Sequence, residues 1–342
     1  MSAGKNRQIV LAARPSGAPK NSDFALKETP IPSPGAGQIL LRTIHLSLDP
    51  YMRGRMNDGP SYAKPVQIGD VMTGAVVAEV MESDNPDFPT GTIVEGRTGW
   101  QEYSLSDGSD VRRIDPSLAP ISTALGVLGM PGMTAYTGLL TIGQPKAGET
   151  VAVAAASGAV GGLVGQIAKI KGARAVGIAG SREKCDFVVN ELGFDACVSH
   201  RDQDLAGSLK GACPSGIDVY FENVGGPVFG AVLPLMNEFS RMPVCGLIAH
   251  YNATSLPEGP DRLPILMRQI LTKRILVRGF IVWDFAEQEQ QFLTEMAGWV
   301  RDGSIKYKED FVDGLENAVA AFQGLLEGRN FGKLIVRVGA EP

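Results

Sequence analysis

Seven small residues, Ala155-Ala156-Ser157-Gly158-Ala159-Val160-Gly161, stand between an apolar run at 151–154 and an amphipathic stretch at 160–171. No other feature of the chain restricts its fold so strongly. A small-residue turn between strand and helix brings backbone N–H groups close to a bound phosphate, with the positive end of the helix dipole behind them. Further on, Gly180-Ser181-Arg182-Glu183-Lys184 occupies the place where a dinucleotide fold puts an acid on the adenosine ribose 2′-hydroxyl. Ser181, Arg182 and Lys184 offer hydroxyl and basic groups instead, which would bind a 2′-phosphate that a carboxylate would repel. The pair of segments reads as a site for NADP(H) rather than NAD(H). Ser157 lies in A-S-G and not in the G-x-S-x-G elbow of hydrolases, so a nucleophilic role is a poor fit.

Composition excludes several other classes. The net charge is −5 and the chain has no basic block, which argues against nucleic acid or an anionic membrane surface as partner. No run of eighteen or more apolar residues is present. The polar opening residues lack the apolar core of a signal peptide, and a cytoplasmic protein is expected. Cys185, Cys197, Cys213 and Cys245 are scattered without CxxC spacing, so a disulfide framework or structural zinc is not expected and buried thiols are.

The first third reads as β structure. Short alternating or β-branched runs at 8–13, 38–48, 71–81 and 92–105 are separated by Pro/Gly punctuation. From about residue 126 strands alternate with helices. Strand candidates at 150–155, 175–179, 196–199, 218–222, 244–248 and 275–282 alternate with helix candidates at 160–171, 182–192, 204–210, 227–236 and 263–272. Six such strands predict a doubly wound parallel sheet. In the tail, Leu315, Ala318, Val319, Phe322, Leu325 and Leu326 share one helical face, and 333–338 reads as a strand. The expected division is a β-rich substrate domain of residues 1–125, completed by 315–342, and a nucleotide-binding domain of 126–314. Cofactor and substrate would meet in a cleft between them.

Several motifs together resemble the medium-chain dehydrogenase/reductase superfamily, and within it the zinc-independent prostaglandin/leukotriene reductases, the plant 2-alkenal reductases and the bacterial curcumin reductases. They are Asp49-Pro50-Tyr51-Met52-Arg53, the run from Gly129 to Tyr136, the small-residue turn, Phe221-Glu222-Asn223-Val224-Gly225-Gly226, the run from Cys245 to Asn252, Gly279-Phe280-Ile281-Val282 and Asn330-Phe331-Gly332-Lys333. The resemblance spans nearly the whole chain. It implies an α/β fold: a Rossmann sheet plus a GroES-like, partly open barrel. It also implies reduction of the carbon–carbon double bond of α,β-unsaturated aldehydes and ketones by NADPH, and a homodimer. The residues themselves fit a zinc-free mechanism. No cysteine precedes Cys185, and His45 is the one histidine of the first domain, so three early zinc ligands cannot be assembled.

By the same resemblance Ser157, Gly158, Ala159, Val160 and Gly161 carry the pyrophosphate. Lys184 holds the 2′-phosphate with Ser181 or Arg182, and His200 stands where mammalian relatives have a Tyr beside the adenosine. Asn223, Asn330 and Thr134 contact the cofactor. Cys245, Gly246, Leu247, Phe280 and Val282 line the nicotinamide and substrate end, with Trp283 where relatives often carry Tyr. Each has a structural alternative: Asn223 as a turn residue, Asn330 as a helix C-cap, Thr134 at a helix N-terminus, Trp283 in the core. Tyr51 and Tyr251 are the catalytic candidates. Hydride arriving at the β-carbon creates an enolate, and a phenol can donate to its oxygen or deliver a proton to the α-carbon without titrating near neutral pH. Two other functions are compatible with the same residues: a quinone oxidoreductase, and an NADPH-binding sensor or structural relative without turnover.

Overall fold

The computed structural model describes residues 4–342. The chain divides into two compact units, one of residues up to Gly126 together with Glu309–Pro342, the other of Val127–Lys308.

The first unit begins with strands β1 (Lys5–Leu11), β2 (Phe24–Pro30) and β3 (Ile39–Ser47), helix α1 (Tyr51–Arg55), and strands β4 (Val76–Ser83), β5 (Ile93–Gly96), β6 (Tyr103–Ser106) and β7 (Val111–Arg113). The second unit runs α2 (Met130–Thr137), β8 (Thr150–Ala154), α3 (Gly161–Ile170), β9 (Arg174–Ala179), α4 (Arg182–Asn190), β10 (Ala196–Ser199), α5 (Leu205–Ala212), β11 (Ile217–Phe221), α6 (Gly226–Val232), β12 (Met236–Val244), α7 (Leu263–Lys273), β13 (Leu276–Gly279) and α8 (Glu289–Arg301). The tail supplies β14 (Glu309–Asp313), α9 (Ala318–Leu326) and β15 (Lys333–Arg337).

In the first unit β1 pairs with β2, and a seven-stranded sheet runs β14-β15-β3-β4-β5-β7 with β6 also on β3. Strand β15 lies antiparallel to β3, Ile335 opposite Ser47. The apolar face of α9 explains this return. Phe322 is fully buried and meets Trp100 edge-on at 5.6 Å, while Trp100 stacks on Phe24 at 6.0 Å. Burying rings of this size stabilises by roughly 2–3 kcal/mol each relative to leaving them exposed.

The second unit holds six parallel strands in the order β10-β9-β8-β11-β12-β13, with helices between them in sequence. The order reverses between β8 and β11, the switch point at which open α/β sheets collect ligands beyond the strand carboxyl ends. The fold class is therefore the expected one. One strand is displaced: residues 245–248 do not extend, and β12 ends at Val244. Cys245 and Gly246 turn their N–H groups back to the Glu222 carbonyl at 2.9 and 3.1 Å. The helix expected over 227–236 stops at Val232, and a tight turn at Leu233–Leu235 feeds β12. Strands β2 and β7 carry too little apolar alternation to stand out in the sequence; in β2 Phe24 alone is buried.

Candidate functional site

The turn after β8 is shaped by backbone geometry. Ala155 has φ +55°, the left-handed region that favours Gly, where the usual fingerprint has Gly. The Gly158 N–H closes the turn on the Ala155 carbonyl at 2.9 Å, and the Ala156 N–H pins it to Ile178 of β9 at 3.0 Å. At Gly161, the first residue of α3, a Cβ would stand 2.4 Å from the Ala155 carbonyl oxygen. A hydrogen is all that fits there. The turn thus stays tight and runs straight into α3, the Gly162 N–H donating to the Gly158 carbonyl at 3.0 Å and the Leu163 N–H to the Val160 carbonyl at 3.1 Å, so the positive end of the helix dipole lies directly behind it.

Because all six strands are parallel, the segments that follow them share one edge of the sheet. The turn 155–161 follows β8, Ser181 to Lys184 follow β9, His200 follows β10, Asn223 follows β11, Cys245 to Leu247 follow β12, and Phe280 follows β13. Ser181 is the N-cap of α4, its Oγ accepting the Lys184 N–H at 3.2 Å; the hydroxyl proton is still a donor. Arg182 is an exposed residue that pairs with Asp186 at 3.8 Å. Burial holds the His200 imidazole below its ordinary pKa, and the cations of Arg201 and Lys184 push the same way, so it is neutral at pH 7. Arg201, adjacent in sequence to His200, joins this cationic group although the strand–helix pattern gives it no prominence.

Asn223 donates to the Ala154 carbonyl at 2.9 Å, tying the ends of β11 and β8 together at the switch point. Its neighbour Glu222 is 2% exposed and accepts from Tyr220 Oη at 3.0 Å, Val224 N at 2.7 Å and Gly225 N at 2.9 Å. Burial raises the Glu222 pKa against these donors. Glu222 builds the 222–226 turn, a role that the motif alone did not suggest. Tyr251 follows a short turn and places Oη against this edge, accepting the Leu247 N–H at 3.4 Å; a Cβ at Gly246 would stand 3.0 Å from that oxygen. Phe280 is packed between Phe221 and Phe285, each ring centroid 6.1 Å away, so its backbone and not its ring faces the edge. Val282 is half-buried and Trp283 exposed. Cys185 and Cys213 are buried, Cys197 and Cys245 half-buried, and all four are free thiols. Thr134 sits inside α2, its hydroxyl donating back to the Met130 carbonyl at 2.7 Å.

Tyr51 and Asn330 belong to the first unit. Tyr51 opens α1, and burial, reinforced by the Asp49 carboxylate, pushes its phenol far above the ordinary value, so it is a protonated donor at any physiological pH. Asn330 donates to the Gly332 carbonyl at 2.8 Å; α9 ends before it, with Glu327 at the C-cap.

The residues present fit NADP(H). The turn leaves no room for a side chain at Gly161, and Lys184, His200 and Arg201 gather at the ends of β9 and β10. Among the described residues no group of three or more His, Cys, Asp or Glu is arranged to hold a metal ion.

Comparison with known proteins agrees with this geometry. Residues 7–114 match the model for the N-terminal domain of oxidoreductase, and residues 159–298 the model for zinc-binding dehydrogenase. The chain is 55% identical over 338 residues to the NADPH-dependent curcumin reductase of Escherichia coli (strain K12), with 98% of each chain covered. It is 43% identical over 343 residues, again 98% of each, to the 2-alkenal reductase (NADP(+)-dependent) of Nicotiana tabacum. Among solved structures, that of CurA from Vibrio vulnificus in complex with NADPH superposes with a TM-score of 0.95 at 55% identity, covering 98% of this chain and 100% of that one.

Proposed function

The chain belongs to the zinc-independent medium-chain dehydrogenase/reductases, in the branch of the curcumin and 2-alkenal reductases, and from that premise we propose that it reduces the carbon–carbon double bond of α,β-unsaturated aldehydes and ketones with NADPH. The observation that carries the cofactor choice is the pair of cations Lys184 and Arg201 around the neutral His200 beyond β9 and β10, with Ser181 capping α4 where a dinucleotide fold for NAD(H) has an acid.

Each part of the chain then has a task. The turn of Ser157, Gly158, Ala159, Val160 and Gly161 takes the pyrophosphate on backbone N–H groups other than that of Gly158, which closes the turn on Ala155. Lys184, with Ser181, Arg182 and Arg201, takes the 2′-phosphate. Asn223, Thr134, Asn330 and the Cys245–Leu247 and Phe280–Val282 backbones hold the nicotinamide end. The bound cofactor supplies a hydride to the substrate β-carbon. Tyr51, which burial keeps protonated at neutral pH, and Tyr251 are the phenols assigned to donate to the carbonyl oxygen, where negative charge develops. The α-carbon receives its proton from one of these phenols or from water.

The second unit also has a surface suited to a second copy of the chain. Edge strand β13 exposes Leu276 and Val277, and α7 exposes Leu263, Ile265, Met267 and Leu271. An unpaired apolar edge of this kind favours pairing between copies, which supports a homodimer. Four free thiols fit the reducing cytoplasm.

Product analysis tests the reaction. With NADPH and a panel of a trans-2-alkenal, an alkenone, a curcumin-like dienone and a quinone, the saturated carbonyl is the expected product. Allylic alcohol as sole product, or turnover of the quinone alone, would reject the reading, as would tight NADPH binding without any consumption.

A further inference from the structure

Lys333 and Asp49 form an ion pair at 2.7 Å between side chains only 4% and 7% exposed. Lys333 Nζ also donates to the Leu48 carbonyl at 2.9 Å, and the other carboxylate oxygen of Asp49 accepts the Ser47 hydroxyl. Next to Lys333, the Leu334 carbonyl accepts the Leu48 N–H at 3.2 Å. The first two residues of β15 therefore clamp the segment leaving β3 across 284 positions of sequence. That segment continues directly into α1. The Asp49 carbonyl accepts the Met52 N–H and the Pro50 carbonyl the Arg53 N–H, both at 3.1 Å, and Tyr51 sits within these two turns.

Stability does not explain the pair. Removing two charges from water costs several kcal/mol per ion, and an apolar pair of similar volume often serves a fold as well or better. What an ion pair adds is a single geometry. Glu309 adds to this local order: it accepts from Ser122 Oγ at 2.9 Å, its remaining oxygen is buried without a hydrogen bond, and the Lys333 cation offsets part of its burial.

We propose that Lys333 and Asp49 are positioning residues for Tyr51, fixing the phenol in the place from which it serves the substrate. The proposal rests on the assignment of Tyr51 above. Both residues act through Tyr51 and neither touches substrate.

A double-mutant cycle reads this directly, with kcat on an alkenone, NADPH affinity by fluorescence titration, and melting temperature for each variant. Tyr51→Phe should lower kcat on the order of 100-fold, the usual scale for a lost proton donor. Lys333→Met should lower it by about 10-fold or more, as expected when a reacting group is displaced by a fraction of an ångström, with NADPH affinity within about twofold. In the Tyr51→Phe background Lys333→Met should then cost almost nothing further. Asp49→Asn, which keeps an acceptor for Lys333, should retain more activity than Asp49→Ala, and it provides the same cycle if Lys333→Met does not fold. Effects that multiply in the double variant, or an unchanged kcat in Lys333→Met, would overturn the positioning role while leaving Tyr51 in place. An unchanged kcat in Tyr51→Phe would instead remove Tyr51 from the reaction, and the positioning proposal with it.

Discussion

The phosphate turn and the tyrosine clamp solve the same problem, holding a few atoms still, by opposite means. The turn at 155–161 is local. Its shape comes from small residues, one left-handed Ala and a glycine with no space for a Cβ. The clamp on 47–52 is assembled from afar, by a buried ion pair and backbone bonds from β15. A local device is written in consecutive residues, whereas a long-range one exists only once the chain is folded. The difference also sets how each should fail. The turn breaks by steric intrusion and takes every nucleotide with it, while the clamp and the cationic group break by loss of one specific contact.

Gly161→Ala should produce the largest effect. Its methyl group would meet the Ala155 carbonyl at 2.4 Å, and backbone cannot yield as a side-chain tip can. Overpacking of this kind costs about 3 kcal/mol. Affinity for NADPH and NADH should collapse together, with a lower melting temperature. Unchanged binding of both would mean that the turn is not where the pyrophosphate sits.

Lys184→Ala should separate the two nucleotides. Loss of a charge-assisted contact to phosphate is worth roughly 1.5–3 kcal/mol, which raises the NADPH KM about 10- to 100-fold and leaves the NADH KM nearly unchanged. Equal weakening for both cofactors would make Lys184 a structural residue of α4.

The smallest expected effect is at Ala155. Its left-handed conformation costs about 1–2 kcal/mol, and Gly would relieve that strain at roughly 0.5–1 kcal/mol of extra unfolded-chain entropy. Ala155→Gly should therefore raise stability by about 0.5–1 kcal/mol, readable in denaturant melts, with NADPH affinity preserved. A loss of similar size would show that the methyl group packs usefully and that the turn is held by more than its backbone.

The same contrast explains what could be read in advance. Five of the six parallel strands, the turn and the basic residues beyond β9 are legible because each is a short periodic run or a consecutive motif. The limit of β12 is not. Its apolar pattern is interrupted by Asn237, Glu238, Ser240 and Arg241, and by Phe239, which is exposed at φ +59° where the β11–β12 register shifts. The N-cap use of Ser181 follows from a local rule. Glu222, by contrast, gives no sign in sequence that it accepts from Tyr220 and two backbone N–H groups. Asp49 and Lys333 were visible as motif members, yet nothing in either stretch says that they meet. Charged residues carry no periodicity that marks them as buried.

The destination of the hydride tests the account most directly. NADPH carrying deuterium at the transferable position of nicotinamide C4 is supplied with a trans-2-alkenal, and the product is examined by NMR. The account predicts a saturated aldehyde with the label on the β-carbon and none on the carbonyl carbon. Label on the carbonyl carbon, in an allylic alcohol, would contradict it.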